Sequence, residues 1–526
     1  MSQRLCIKVI LLSLSVCVLS WISPVGSVVW ASGSYPQGGP VFKGWTLASE
    51  ENFPFIDLSR HHYYGLEPTP GEIIEQMGMK GNMISLTSSA YVPGEADIRG
   101  HMPPVSKQSY NECSTFSLAY YCVSYWKSLY EGVGRGWGDD ELGSSLFLYN
   151  QCNGGYDRAI YLALPYRLTS LHGCSFIEDF DPRDLAVLPG IAEEKKALWN
   201  MVEDQGYLYY SRNYEEPVGY DAGNDKVTAE EIKAVKYCLS NNIPVVVGIF
   251  LYEPFIAGTG LSTSSVYYGP DKPYPDPVGY HAVTITGYKN DSTLPGGGAF
   301  SIRNSWGSEW GADGDCWLSY AFIQDHSSEA YPVKIRKGYY PDYYIVVLAH
   351  HPRRGDLELL VDIDGGSELS YNPHLMAPDD ERDDLKAILD VTDWISPATY
   401  SITLKVINHS TTEEGIIEEA YLVRSGTLLS GGSSPSDPAI LKEQEESAVP
   451  FDFGSDYVVS NQGSSEGTII LPYSDFTEIE IIDPDPPSPS IPDGSGGSTG
   501  GCNITLHYLP LLIFVIPLMA MMASKR

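Results

Sequence analysis

Residues 302–320 read "IRNSWGSEWGADGDCWLSY". The apolar run "GAFSIR" (298–303) enters this stretch as a strand and delivers Asn304 at its end. Glycines then space out Trp306, Trp310 and Trp317. Working outward, the "LPGGG" turn (294–298) separates this strand from another, "HAVTITGYKN" (281–290), headed by His281. Before that, "IPVVVGIFLY" (243–252) is apolar without interruption, as a strand buried on both faces would be. It follows an amphipathic helix, "VTAEEIKAVKYCLSNN" (227–242), whose Thr228 and Glu231 have the spacing of a capping box. Further upstream, "CSTFSLAYYCVSYWKSLYE" (113–131) repeats apolar residues at helical spacing, with Phe116, Tyr120, Val123 and Trp126 marking one face. Helices first and strands after predict an α+β domain over residues 93–338.

The helix at 113 opens on a cysteine. In "QSYNECSTFS" (108–117), Cys113 stands where a loop becomes a helix, and a helix N-terminus favours thiolate character when a base is near. His281, heading one strand, and Asn304, ending the next, can converge on it. An imidazole that takes the thiol proton and an amide that orients the imidazole are what thiol nucleophilic catalysis requires.

These stretches, in this order, resemble the papain-like (C1) cysteine peptidases, particularly exported bacterial and archaeal members. "DIRGHMPPVSKQSYNECSTFS" (97–117) resembles the mature start through to the nucleophile, and "LYNQCNGGYDRAI" (148–160) the CNGG segment of the cleft. "GYHAVTITGY" (279–288) resembles the histidine strand and "IRNSWGSEWGADGDCWLSY" the asparagine strand. The resemblance implies a two-lobed papain-like fold, a helical lobe beside a β-barrel-like lobe. It implies Cys113 as nucleophile, His281 as general base and acid, and Asn304 as its orienting partner. Trp306 would shield the His281–Asn304 bond, and Gln108 would donate to the oxyanion with the Cys113 N–H. Gly154 and Gly155 would pair with an extended substrate, and Tyr156 would wall the pocket for its second side chain. The chain departs from the family pattern in several places, Thr115 standing where a small apolar residue is usual being one. Ser114 follows the nucleophile where tryptophan is usual. The segment from Gln108 to Cys113 is one residue shorter. No cysteine precedes Cys113 to pair with Cys152, for which Cys174 is the remaining substitute. The longer spacing to His281 points to residues 252–280, rich in tyrosine and proline, as a loop that roofs the cleft.

Beyond 338 the pattern becomes all-β. "YYIVVLAHHPRRGDLELLVDI" (343–363) and "YSITLKVINHS" (400–410) read as alternating strands, predicting a sandwich over 339–460. This region resembles the jelly-roll P-domain appended to some secreted proteases, which implies a stabilising or surface-binding role. Its acidic stretches "DIDGG" (362–366) and "DDERDD" (379–384) read as solvated loops rather than calcium sites.

Both chain ends read as targeting segments. Arg4 and Lys8 beside the apolar "VILLSLSVCVLSWI" and the small residue Ala31 predict a signal peptide over 1–31, with 32–92 a short arm or propeptide. An acidic linker rich in Pro, Gly and Ser (461–501) precedes Cys502, an apolar run and the basic end Lys525–Arg526. This layout resembles the Gly-Gly-Cys type of sorting tail and implies retention at the cell envelope or membrane, with Cys502 as processing or attachment point; a plain transmembrane anchor (502–526) is the other reading. A formal charge of −34 excludes a phosphate-binding surface, so no nucleic-acid partner is expected. The expected partner is a protein or peptide substrate, with no metal or organic cofactor. The alternative is a non-catalytic surface adhesin or binding module that keeps the same fold.

Overall fold

The computed structural model describes residues 56–57 and 91–470, apart from internal stretches of which 211–225, 372–379 and 426–446 are the longest. The stretch read as a signal peptide, most of the arm, most of the linker and the tail with Cys502 lie outside the described residues; Ser464–Ile470, read from sequence as the start of the linker, form instead a strand paired with Ser401–Asn408. The chain divides into two compact units, residues 1–477 and 478–526.

The centre of the first unit is a nine-stranded sheet in the order β3-β9-β4-β6-β7-β8-β5. Its strands are β1 (Ile56–Asp57), β2 (Glu95–Asp97), β3 (Tyr209–Tyr210), β4 (Val245–Leu251), β5 (Val266–Tyr267), β6 (Gly279–Asn290), β7 (Gly298–Arg303), β8 (Asp315–Ser319) and β9 (Ser327–Pro332). Both β1 and β2 pair with β6. Every pairing is antiparallel except that of β5 with β8. All of β4 is buried, as its uninterrupted apolar sequence requires.

The helices are α1 (113–131), α2 (Ser145–Cys152), α3 (Ala163–His172), α4 (Ile191–Ala197), α5 (Ala229–Ser240), α6 (Glu253–Ile256) and α7 (Tyr320–His326). The capping box on α5 forms as its sequence dictates: the Glu231 N–H donates to Thr228 Oγ1 (3.2 Å) and the Thr228 N–H to Glu231 Oε2 (2.6 Å). Helix α1 corrects the one-face expectation. Every residue from Cys113 to Trp126 is buried, and Phe116–Val123 is wound with the wider i→i+5 spacing. A helix enclosed on all sides needs no polar face. Ser117 bonds across the core instead: its Oγ donates to the Ala282 carbonyl, and its carbonyl accepts Thr284 Oγ1 of β6, each at 3.1 Å. These two bonds fix α1 against β6.

Two antiparallel sheets follow. The strands are β10 (Tyr343–His350), β11 (Leu357–Ile363), β12 (Ser367–Tyr371), β13 (Asp384–Asp390), β14 (Ser401–Asn408), β15 (Gly415–Arg424), β16 (Ser447–Pro450), β17 (Val458–Val459) and β18 (Ser464–Ile470). One sheet runs β13-β10-β15-β16 with β17 on β15, the other β12-β11-β14-β18. Strands β11 and β14 alternate buried and half-buried residues. Strand β10 does not alternate. Its Ile345 and Val347 face the core shared by the two sheets, while Tyr344 and Val346 join Ile388 and Val423 in packing on Leu198 and Met201 of the first domain. The sheet carrying β10 is therefore covered on both faces, which explains its apolar run.

A polar contact completes this junction. Arg354 Nε donates to Asp380 Oδ2 (2.6 Å) and its Nη2 to the Gln151 carbonyl (2.9 Å). Arg382 holds Asp380 through Nε and Nη2 (both 2.8 Å) and gives Nη1 to the Asn150 carbonyl (2.7 Å). Both guanidinium groups thus cap the C-terminal carbonyls of α2. The acidic stretch at 379–384 is thus not wholly a solvated loop, because Asp380 is 1% exposed.

Candidate active site

His281 lies on β6 opposite Ile249 of β4, fully buried. Its Nε2 is 2.7 Å from Asn304 Oδ1. The Ser305 N–H donates to the same oxygen at 2.7 Å. Two contacts on one atom fix the amide's orientation, because a flipped amide would oppose the Ser305 N–H with its own donors. Nε2 therefore carries the proton, and Nδ1, buried with no hydrogen-bond partner among the described residues, keeps a free lone pair. Trp306 stacks on the imidazole with ring centroids 4.4 Å apart. Trp310 and Phe255 of α6 pack edge-on or tilted around that indole.

Cys113 begins α1 and is 1% exposed. Burial pushes its thiol up to about 12, opposed by the N–H groups of Ala282 and Ser114 beside the sulfur. The nucleophile candidate thus lies against the peptide that follows His281. Burial also lowers His281 to about 4, with the Asn304 bond acting the other way. Desolvation disfavours either charge alone, so thiolate and imidazolium are best made together as a pair. Tyr121, eight residues into α1, donates to the Asn304 carbonyl (2.7 Å) and couples the helix to the asparagine.

Gln108 is buried and tied to the residue after Asn304. Its N–H donates to the Ser305 carbonyl (2.8 Å), and Ser305 Oγ donates to its Oε1. Its Nε2 gives one hydrogen to the Tyr110 carbonyl (2.7 Å) and keeps a second. Gly154 and Gly155 follow α2 with φ of 67° and 87°, a conformation that favours glycine. Asn153 Oδ1 accepts the Gly155 N–H (2.7 Å) and braces this turn. Tyr156 is half-buried beyond it. A Cβ on Gly155 would meet Arg382 Cδ at 3.5 Å, so the C-terminal β-sheet region reaches the turn at Gly154–Gly155.

The backbone of β1 pairs with Gly279 and Tyr280, immediately before His281. The described part of the tyrosine-rich loop is tied to the sheet. Its β5 extends the sheet beside β8, with Tyr267 packed on Phe255 and Phe322. All six cysteines of the described residues are free and buried, so Cys174 does not replace the missing partner of Cys152.

Residues 185–330 match the family model for papain family cysteine proteases. Over this stretch the chain is papain-like. The match spans His281 and Asn304; Gln108 and Cys113 precede it. Over 108 residues the chain is 31% identical to an uncharacterised peptidase C1-like protein of Acanthamoeba polyphaga mimivirus, covering 20% of this chain and 32% of that protein. The chain thus spans about a third of the length of that relative. Among solved structures it is similar to xylellain, a cysteine protease from Xylella fastidiosa, at 20% identity, 46% of this chain, 87% of that chain and a TM-score of 0.34. It is similar also to a Carica candamarcensis cysteine protease at 18% identity, 47% of this chain, 100% of that chain and a TM-score of 0.32.

Sequence reasoning missed Glu112, Asp157, Ser305 and Tyr121. Glu112, Asp157 and Ser305 each adjoin a residue the sequence had singled out, which was the only signal available.

Proposed function

We propose that the chain is an exported cysteine endopeptidase working through Cys113, His281 and Asn304. The observation that carries this reading is the imidazole whose Nε2 is bound to Asn304 and whose Nδ1 has no partner among the described residues. His281 Nδ1 takes the thiol proton as sulfur attacks the peptide carbonyl carbon. The oxyanion is met by the Cys113 N–H and the spare Gln108 hydrogen. The C–N bond breaks with the proton passed to the leaving amine. Water, deprotonated by His281, then hydrolyses the acyl-enzyme and regenerates the thiol. Protein or peptide is the substrate class; the leader directs export, and the Cys502 tail retains the protein at the cell envelope.

A second reading, a binding module that has kept the fold, is favoured by the burial of Cys113 and its raised pKa. Labelling with an epoxide warhead separates the two. Modification of Cys113 that is lost in His281→Ala supports the peptidase; labelling at the rate of a free thiol, indifferent to His281, supports the binding module. For retention, a Cys502→Ser protein that fractionates like wild type would argue against a role for that cysteine.

A further inference from the structure

The residues between Gln108 and Cys113 are anchored at their two ends to different parts of the fold. Gln108 is bound to Ser305, on the side of the asparagine strand. The other end hangs from α2 and the turn beyond it through two buried carboxyl groups. Glu112 turns its side chain back to accept the Ser109 N–H on Oε1 (3.0 Å) and the hydroxyl of Ser145, first residue of α2, on Oε2 (2.6 Å). Asp157 Oδ1 accepts the Asn111 N–H (2.7 Å) and the hydroxyl of Tyr149, within α2 (2.8 Å). Glu112 is 3% exposed and Asp157 6%. These donors are backbone N–H groups and hydroxyls, all neutral.

We propose that Glu112 and Asp157 are positioning residues for the nucleophile: they suspend its loop from α2 and so set the Cys113 N–H and thiol against Gln108 and His281. This inference rests on the peptidase reading above. Carboxyl groups suit the task because each has acceptor sites for two separate segments at once. The loop has no covalent staple, since Cys113 and Cys152 are free. Its geometry therefore depends on these bonds and on the Gln108–Tyr110 bond that closes the bulge. Burial raises both acids, Glu112 to about 7, as expected for carboxyls held among neutral donors rather than paired with cations.

The test uses the full chain and reads the rate of iodoacetamide alkylation of Cys113 across pH, with and without His281→Ala, alongside kcat and KM on a fluorogenic peptide. In wild type, His281 should accelerate alkylation. In Glu112→Ala that acceleration should vanish, and kcat should fall by at least about tenfold with KM changed less than about threefold. Glu112→Gln, which has an acceptor for Ser109 and a donor for Ser145, should restore kcat to within about threefold. Ser145→Ala removes one donor and leaves the carboxyl in place, so it should show the same kcat-against-KM split at smaller size, even if Glu112→Ala does not fold. Acceleration retained in Glu112→Ala and Ser145→Ala would overturn the positioning role alone. So would equal kcat losses in the Ala and Gln variants. A wild-type protein with no His281-dependent acceleration would overturn both this role and the peptidase reading.

Discussion

His281 and Asn304 are joined side chain to side chain at 2.7 Å, beneath an indole stacked 4.4 Å from the imidazole. Since the Ser305 N–H shares the Asn304 oxygen, the ring's tautomer and tilt are set by one atom. Asn304→Ala should leave the imidazole free to rotate about its Cβ–Cγ bond and to carry its proton on either nitrogen. A loss of kcat of about 10²-fold is expected, with little change in KM, because misorientation acts on the reacting geometry. Steady-state kinetics on a peptide substrate check it; an unchanged kcat would mean that Trp306 packing alone holds the ring.

Asp380 lies between Arg354 and Arg382, whose other N–H groups cap α2. Removing the carboxylate would leave two guanidinium groups buried without their anion. Asp380→Ala should therefore cost about 3–5 kcal/mol, as breaking a buried pair does. Burial works to raise this carboxyl, but the two arginines outweigh it and hold it at about 2. With the folded value below the usual 3.8, the stabilisation is present above that pH and is lost as pH falls through about 2. Urea midpoints of wild type and variant at neutral pH and at low pH should converge on acidification. Midpoints equally far apart at both would show that the arginines find other partners.

Glu329 on β9 has the opposite sign. It is fully buried and accepts the hydroxyls of Tyr280 (2.7 Å) and Tyr331 (2.9 Å). Burial raises it from 4.5 to about 7, against the effect of both hydroxyls. The folded state therefore keeps a proton that the unfolded chain has lost. This stabilisation is full below about pH 4.5 and disappears as pH rises through about 7. Glu329→Gln, neutral throughout, should remove up to about 3 kcal/mol of that pH dependence. Thermal midpoints measured between pH 4 and 8 test it, and parallel curves for the two proteins would count against a buried neutral acid.

The fold was legible where a local pattern had one physical outcome. The uninterrupted apolar run of β4 had to be buried, and Thr228 with Glu231 had to cap α5. His281 and Asn304 were legible because strand ends joined by a short turn are neighbours in space. Glu112 was not, because a glutamate before a helix reads as a solvated cap. Its burial depends on Ser145, 33 residues away, which local sequence does not reveal. Asp380 was hidden for the same reason: "DDERDD" reads as surface until Arg354 is known to fold against it. Nor could an alternating-strand reading anticipate that β10 faces Leu198 and Met201 as well as the core between the two C-terminal sheets.

Gly248 sits on β4 directly beneath the ring of Tyr280, the residue before His281. A Cβ at this position would lie 1.7 Å from the Tyr280 hydroxyl and 2.8 Å from Ser328 Oγ. The hydroxyl cannot simply swing aside, because Glu329 accepts from it and Ser328 donates to it (3.0 Å). Gly248→Ala should therefore displace Tyr280 and strain β6 one residue from the imidazole, costing about 1–3 kcal/mol as overpacked cores do. Because β1 also pairs with Tyr280, the same shift should disturb the backbone on that edge of β6. Shortening the partner separates the two effects. In a Gly248→Ala, Tyr280→Phe double variant the new methyl no longer meets a hydroxyl, and the denaturation midpoint should recover part of the way toward that of Tyr280→Phe alone. Strictly additive losses in the double-variant cycle would place the strain elsewhere than at this contact.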